Sequence, residues 1–280
     1  MARCEVCFRH CEIEEGGLGF CGARTCKDGK VFASNYGRIT GMALDPIEKK
    51  PLSRFFPGSL ILSLGSYGCN LRCPFCQNSD ISWSDEARRM AERAEYITPE
   101  EALETALRYQ SVGNIGVAYT YNEPLVGYEF VRDCTKLVKG AGMKNVLVSN
   151  GTAELPVLEE ILPYIDAMNI DLKGFSDRYY GEVLKGSKKQ VTDFIARAAE
   201  DCHVELTTLI VPGENDSEEE MREISAWIAD LPNGEYIPLH VSRFFPRFMM
   251  TDREATPVSK IYRLADVARE RLDYVYTGNC

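Results

Sequence analysis

The chain has 280 residues, 45% of them hydrophobic and 26% charged, with a formal net charge of −10 at pH 7. That length allows one large domain or two smaller ones. The acidic balance argues against a nucleic-acid binder, which shows a basic face, and the absence of a run of about 20 apolar residues argues against a bilayer span.

The opening residues, Met1 to Cys7, lack the apolar core of a signal peptide, so a cytoplasmic location is expected. In a reducing compartment eleven cysteines speak for metal ligation rather than disulfides. Five of them, Cys4, Cys7, Cys11, Cys21 and Cys26, fall in the first 26 residues. Cys4-x2-Cys7 has the spacing that places two thiolates on one metal, and Cys11 and Cys21 can complete the set across a turn-rich stretch, residues 14–20. Few residues here can build a core, so a metal would substitute for one. The expectation is a structural zinc site at Cys4, Cys7, Cys11 and Cys21. The main rival is a second iron–sulfur cluster, with Cys26 and His10 as alternative ligands, and the bland reading is reduced thiols. Residues 31–40 read as a strand or hairpin and 45–58 as a Pro-punctuated connector, which closes an N-terminal metal-binding segment at residue 58.

From residue 59 strands and helices alternate. A short apolar strand, 60–64, leads into Gly68-Cys-Asn-Leu-Arg-Cys-Pro-Phe-Cys-Gln-Asn78, which holds Cys69, Cys73 and Cys76. Ferredoxin-type runs supply a cysteine for each of a cubane's four irons; three cysteines leave one iron open to something other than protein. Three buried thiols or zinc with a distant fourth ligand are the bland alternatives. Thr98-Pro-Glu-Glu101 has the pattern of a capping box and starts a helix to about residue 112. Strands are expected at 115–120, 145–149, 168–172, 204–211 and 236–241, the last being the final core strand. Helices are expected at 126–139, 156–164, 191–201, 217–229 (again with capping-box spacing, Ser217 to Glu220) and 258–271. Six strands alternating with helices imply an α/β fold with a parallel sheet, either an open barrel of six β/α units or a doubly wound sheet. Polar clusters follow five of the strands, at 119–124, 149–151, 171–173, 211–216 and 240–246. Each alone is ordinary turn chemistry, but five in succession at corresponding places mark the rim where β/α barrels carry their active sites. Cys134 and Cys202 read as buried thiols.

The run Cys69-x3-Cys73-x-Phe75-Cys76 resembles the cluster motif of radical SAM enzymes. Nearly the whole chain is similar to the glycyl-radical (pyruvate formate-lyase) activating branch of that superfamily, and more closely to the members associated with Memo-type and AMMECR-type proteins. The resemblance implies a partial (β/α)6 TIM-type barrel over residues 59–280. It implies that Cys69, Cys73 and Cys76 hold a [4Fe–4S] cluster whose open iron chelates S-adenosylmethionine. One electron, from a donor such as flavodoxin or ferredoxin, then releases a 5′-deoxyadenosyl radical that takes a hydrogen atom from a protein or a small-molecule substrate. Tyr121-Asn122-Glu123-Pro124 stands where relatives carry Gly-Gly-Glu-Pro, both glycines being replaced; Asn122 and Glu123 would meet the amino group of the cosubstrate. Ser149 and Asn150 would meet its carboxylate or ribose, and Phe75 would line the adenine. Asp171, in Asp-Leu-Lys, would help hold a monovalent cation near the carboxylate, unless Lys173 pairs with that carboxylate directly. His240 and Arg243 would lie at the substrate, their bland readings being a core histidine and a structural ion pair. Some relatives continue into a further cysteine pair where this sequence stops at Cys280, so no metal is expected there. Memo-type and AMMECR-type proteins are the implied partners. The competing functions are a non-catalytic zinc-binding interaction protein and an RNA-modifying radical SAM enzyme, the latter disfavoured by the acidic charge.

Overall fold

The apolar strand segments fold into one eight-stranded sheet in the computed structural model, which describes residues 1–280. Its strands are β1 (Gly41–Pro46), β2 (Leu60–Gly65), β3 (Asn114–Thr120), β4 (Lys144–Ser149), β5 (Ala167–Asp171), β6 (His203–Ile210), β7 (Leu239–Arg243) and β8 (Val275–Gly278). Their order across the sheet is their order in the chain. β1 pairs antiparallel with β2, and every later pairing is parallel. Parallel neighbours need crossovers, which here run through helices: α1 (Asp85–Arg93) and α2 (Pro99–Arg108) after β2, α3 (Tyr128–Gly140) after β3, α4 (Leu155–Ile161) after β4, α5 (Lys188–Asp201) after β5, α6 (Glu218–Ala229) after β6 and α7 (Val258–Ala268) after β7. No pairing joins β8 back to β1, so the barrel is open. No helix is long and apolar enough to cross a membrane.

All six expected strands form, within a few residues of their predicted ends. Three of these elements escaped the sequence reading. β1 was hidden in the Pro-punctuated connector; it is a half-exposed edge strand that ends at Pro46, where a missing amide does no harm. β8 has only four residues, and it displaces residues 236–241 as the last core strand. α1 buries only Ala87, and its apolar stripe, Ala87, Met90 and Ala91, is narrow and set among charged residues; Ser84 caps it by accepting from the Ala87 amide at 3.3 Å. β1, which opens the connector before residue 58, is hydrogen-bonded into the sheet.

The capping box at Thr98 forms in both directions, with Glu101 N donating to Thr98 Oγ1 at 3.2 Å and Thr98 N to Glu101 Oε2 at 2.8 Å. At Ser217 only half forms. Ser217 Oγ accepts from Glu220 N at 3.1 Å, but Glu220 Oε1 turns away to accept from Phe175 N at 2.6 Å.

The connector after β1 plugs the floor of the barrel. Ile47 and Leu52 pack against Ile61, Ala118, Val146 and Ala167, one from each of four successive strands. A single carboxylate fixes the plug. Glu205 of β6, fully buried, accepts from the amides of Ser53 (2.9 Å) and Arg54 (2.7 Å) and lies 3.0 Å from His203 Nε2 and 2.7 Å from His240 Nε2. Burial alone would raise its pKa, but these four partners hold it down at about 2. Glu205→Ala is therefore expected to destabilise the protein on the order of 3 kcal/mol, measured by urea unfolding, because buried donors lose their acceptor. In the wild type, a carboxyl with a depressed folded-state pKa contributes stability that is complete above its unfolded value near 4.5 and drains away as pH falls toward about 2. Acid unfolding of Glu205→Gln should lack that part of the slope.

Candidate active site at the carboxyl ends of the strands

The loop that leaves β2 carries the three cysteines, and its start is clamped by neighbours on two sides. Gly68 O accepts from Glu123 N (3.2 Å) and Asn122 Nδ2 (3.1 Å), and Cys69 N donates to Cys21 O at 3.1 Å. Gly68 sits at φ +97°, where a Cβ would come within 2.6 Å of Ala23 Cβ and 2.9 Å of Cys21 O. Only glycine fits such a position. Further along, Arg72 N donates to Leu184 O at 2.9 Å, and the Arg72 guanidinium bonds the carbonyls of Cys69 and Phe20.

The three thiols are buried or half-buried, and two donors approach Cys69. Leu71 N lies 3.4 Å and Asn150 Nδ2 3.7 Å from Cys69 Sγ, while the Cys76 thiol donates to Ser82 Oγ at 3.8 Å. Burial drives the Cys69 thiol well above its ordinary value, the Cys73 thiol to about 12, and the Cys76 thiol upward as well. Three such thiols keep their protons unless a cation replaces them, and that fits a metal-cluster ligand set.

Next to Cys69 stands a hydrogen-bonded group from the ends of β3 and β4. Glu123 is 3% exposed; its Oε1 accepts from Ser149 Oγ (2.9 Å) and Leu125 N (3.0 Å), and its Oε2 from Asn150 N (2.7 Å). Burial lifts the Glu123 carboxyl to about 7 against the pull of those donors. Asn150 Nδ2 donates to Asn70 Oδ1 at 3.0 Å, and Asn70 Nδ2 to Thr152 Oγ1 at 2.7 Å. From the end of β5, Lys173 Nζ pairs with Asp171 Oδ2 at 2.8 Å. Burial works against the Lys173 ammonium, but Asp171 and Cys73 raise its pKa well above the ordinary value. Phe75 is buried beneath the mouth, with its ring edge-on to Phe244 at 6.3 Å.

The structure thus gathers Cys69, Cys73, Cys76, Glu123, Ser149, Asn150, Asp171, Lys173 and Phe75 at one end of the barrel. Three expected residues lie elsewhere. Asn122 accepts from Ser66 N at 3.0 Å and donates to Gly68 O, so its carboxamide braces the cysteine loop instead of facing a cosubstrate. His240 is down on the floor with Glu205 and stacks on Tyr276 at 5.3 Å. Arg243 Nε donates to Thr256 O at 2.7 Å, and its guanidinium lies over Phe245. Strand alternation explains the last two: His240 points inward two residues too early, and Arg243 points outward.

The loss of the two glycines before Glu123 is compensated across the sheet. Tyr121 takes φ +74° itself, and its ring lies against Gly65 at the end of β2, where a Cβ would meet it at 2.6 Å. The Tyr121 hydroxyl donates to Asp45 Oδ2 (2.6 Å), which also holds the buried Lys50 ammonium (2.8 Å). Sequence reasoning missed this group, as it missed Asn70 and the segment after β7. That segment crosses the mouth: Met249 N donates to Pro74 O at 2.9 Å, and Phe248 sets its ring edge-on to Trp83 at 4.9 Å. Asn70 and Pro74 stand inside the cysteine motif itself, which was the available signal.

Of the N-terminal cysteines, Cys4, Cys7, Cys11 and Cys21 line one cavity together with Arg9, Arg24 and Asn70. Cys26 is elsewhere, 3.8 Å from Glu15 Oε2, and His10 lies between the carboxylates of Glu5 and Glu154. No three His, Cys, Asp or Glu side chains anywhere in the chain converge closely enough for a single metal ion.

A parallel open barrel with a three-cysteine loop after its first parallel strand defines a class, and sequence comparison agrees. Residues 64–224 match the Radical SAM superfamily, and the chain belongs to that superfamily. An uncharacterized protein of Methanocaldococcus jannaschii is 42% identical over 99% of this chain and 81% of its own length. The pyruvate formate-lyase-activating enzyme of Clostridium pasteurianum is 32% identical over 61% of this chain and 71% of that protein. Among solved structures, a domain of pyruvate-formate lyase-activating enzyme from Bacteroides vulgatus superposes with a TM-score of 0.51 at 18% identity, covering 59% of this chain and 99% of that one. QueE from Escherichia coli gives 0.51 at 14% identity over 87% and 93%. At these identities the two structures bear on the fold alone. The chain is accordingly an enzyme of S-adenosylmethionine-dependent radical chemistry, and its family cofactors are a [4Fe–4S] cluster and S-adenosylmethionine.

Gly68→Ala is expected to destabilise the cysteine loop by about 2 kcal/mol, from strain plus overlap, and to cut the iron bound on anaerobic reconstitution several-fold. Gly58→Ala is the control. It also has positive φ (+81°) but open space around it, so it should lose only about 1 kcal/mol and keep its iron.

Proposed function

We propose that this enzyme generates a radical on a partner protein in the manner of an activase, taking hydrogen from a glycine Cα. When bound, the cluster and S-adenosylmethionine supply one-electron cleavage of the sulfonium and the 5′-deoxyadenosyl radical. The observation that carries the reading is the contact of Cys69 Sγ with Asn150, which Glu123 fixes through its amide. The groups expected to hold the cosubstrate thus sit directly beside the thiol that would hold the cluster.

A carboxylate has about four acceptor positions, and three of those on Glu123 are filled by Ser149, Leu125 and Asn150. The remaining one is free for the cosubstrate's ammonium, which would keep Glu123 ionised near neutral pH. Lys173, paired with Asp171 beside Cys73, supplies the positive charge assigned in the sequence reading to a monovalent cation. His240 and Arg243 act as supports of the floor and of the segment after β7.

The plugged floor leaves the mouth as the way in for substrate. There the segment after β7 exposes Phe245 (44%) and Met249 (66%). Such a rim suits a protein substrate, and the likeness to activating enzymes adds weight. Memo-type and AMMECR-type proteins are the first candidate hydrogen donors, and flavodoxin or ferredoxin the first candidate reductants. We further propose that Cys4, Cys7, Cys11 and Cys21 hold a metal. The family assignment leaves no room for a purely non-catalytic zinc protein.

Anaerobic protein reconstituted with iron and sulfide, reduced with dithionite and given S-adenosylmethionine is expected to form 5′-deoxyadenosine. Cys73→Ala should form at least about a hundred-fold less. With the right partner protein, EPR should show a glycyl doublet. Cosubstrate cleavage with no doublet across glycyl-radical enzymes and the two candidate partners would move the substrate to another protein side chain or a small molecule.

A further inference from the structure

We propose that the metal at Cys4, Cys7, Cys11 and Cys21 is a second [4Fe–4S] cluster, coupled to the one at Cys69, Cys73 and Cys76, through which the reducing electron arrives. The proposal deepens the N-terminal metal site proposed above and replaces the expected zinc.

The first argument is spatial. The four cysteines line one cavity together. Four is the number that a cubane takes, one for each iron.

The second argument is electrostatic. Arg24, 5% exposed, lines the cavity, and its Nε has no partner, while its Nη1 is spent on Glu129 at 2.7 Å. A buried guanidinium N–H without an acceptor costs free energy. The sulfide and thiolate sulfurs of an anionic cluster would supply that acceptor. Arg9 adds a second positive charge to the cavity wall.

The third argument is connection. Cys21 O receives the Cys69 amide at 3.1 Å, so one hydrogen bond joins the two ligand sets. A second path runs through Asn70, which lines the N-terminal cavity and accepts from Asn150 Nδ2 at 3.0 Å; the same nitrogen lies 3.7 Å from Cys69 Sγ. In the transfer a reduced flavodoxin- or ferredoxin-type donor gives one electron to the N-terminal cluster. That cluster returns to its oxidised state by passing the electron to the cluster at Cys69. No bond or proton changes until the sulfonium is cleaved.

The test is the Cys69/Cys73/Cys76 triple alanine variant, purified and reconstituted without oxygen. It should retain about four irons and four sulfides per chain, with negligible zinc, and give a simple EPR signal on reduction. The wild type should bind about twice as much iron, and its reduced spectrum should show spin–spin broadening that disappears in Cys11→Ala. One zinc per chain overturns the cluster, as does a variant with native circular dichroism and no metal. Two uncoupled signals in the wild type overturn the relay. If the triple variant does not fold, the loss of about half the iron in Cys11→Ala carries the same decision. These readouts do not use 5′-deoxyadenosine, so failure of the radical reading and failure of this one are distinguishable.

Discussion

One peptide unit, Gly68–Cys69, governs the geometry of the whole mouth. Its carbonyl is held by β3 through Glu123 and Asn122, and its amide by the N-terminal segment through Cys21. The first ligand of the cluster is therefore positioned from two directions by structures far apart in sequence. The positive φ of Gly68 and the absence of a Cβ there are the conditions for that double hold. Everything placed by Cys69, including the approach of Asn150 and the Glu123 group behind it, inherits this position.

Two buried carboxylates divide the barrel between them. Glu205 on the floor has four partners that hold its pKa down; Glu123 at the mouth has three donors, and burial lifts its carboxyl to about 7. The floor carboxylate acts as a rivet, with its charge fully matched. The upper one is left partly unmatched, as suits a group that waits for a cationic ligand. Stability is concentrated at one end of the barrel and binding at the other.

Much of this was legible in the sequence. The six expected strands were plain because each is an apolar run between turn residues, and the cluster loop because cysteine spacing is set by metal geometry. The parallel sheet followed from alternation, and the choice of a partial barrel over a doubly wound sheet from the resemblance carried by the cysteine motif. What escaped were elements whose stability is borrowed. β1 is hidden among prolines, and the apolar face of α1 is a narrow stripe of Ala87, Met90 and Ala91 among charges. His240 and Arg243 were misplaced because the position of a strand's end decides which side chains face the ligand, and a shift of one residue reverses that facing. Tyr121 looked like a defect against the family pattern. Its partner Gly65 lies 56 residues earlier in the chain and could not be paired with it from local sequence. The four N-terminal cysteines grouped by spacing line one cavity, whose shape and arginine wall are properties of three dimensions.

The floor contact has a bearing on synthesis. Ser53 and the Glu205 carboxylate that holds it are 152 residues apart in the chain. The plug therefore stays unsealed until β6 has left the ribosome, and closure of so long a loop is slow relative to local helix formation. The cavity of the N-terminal thiols, lined by no residue beyond Val126, is complete in the chain well before that closure.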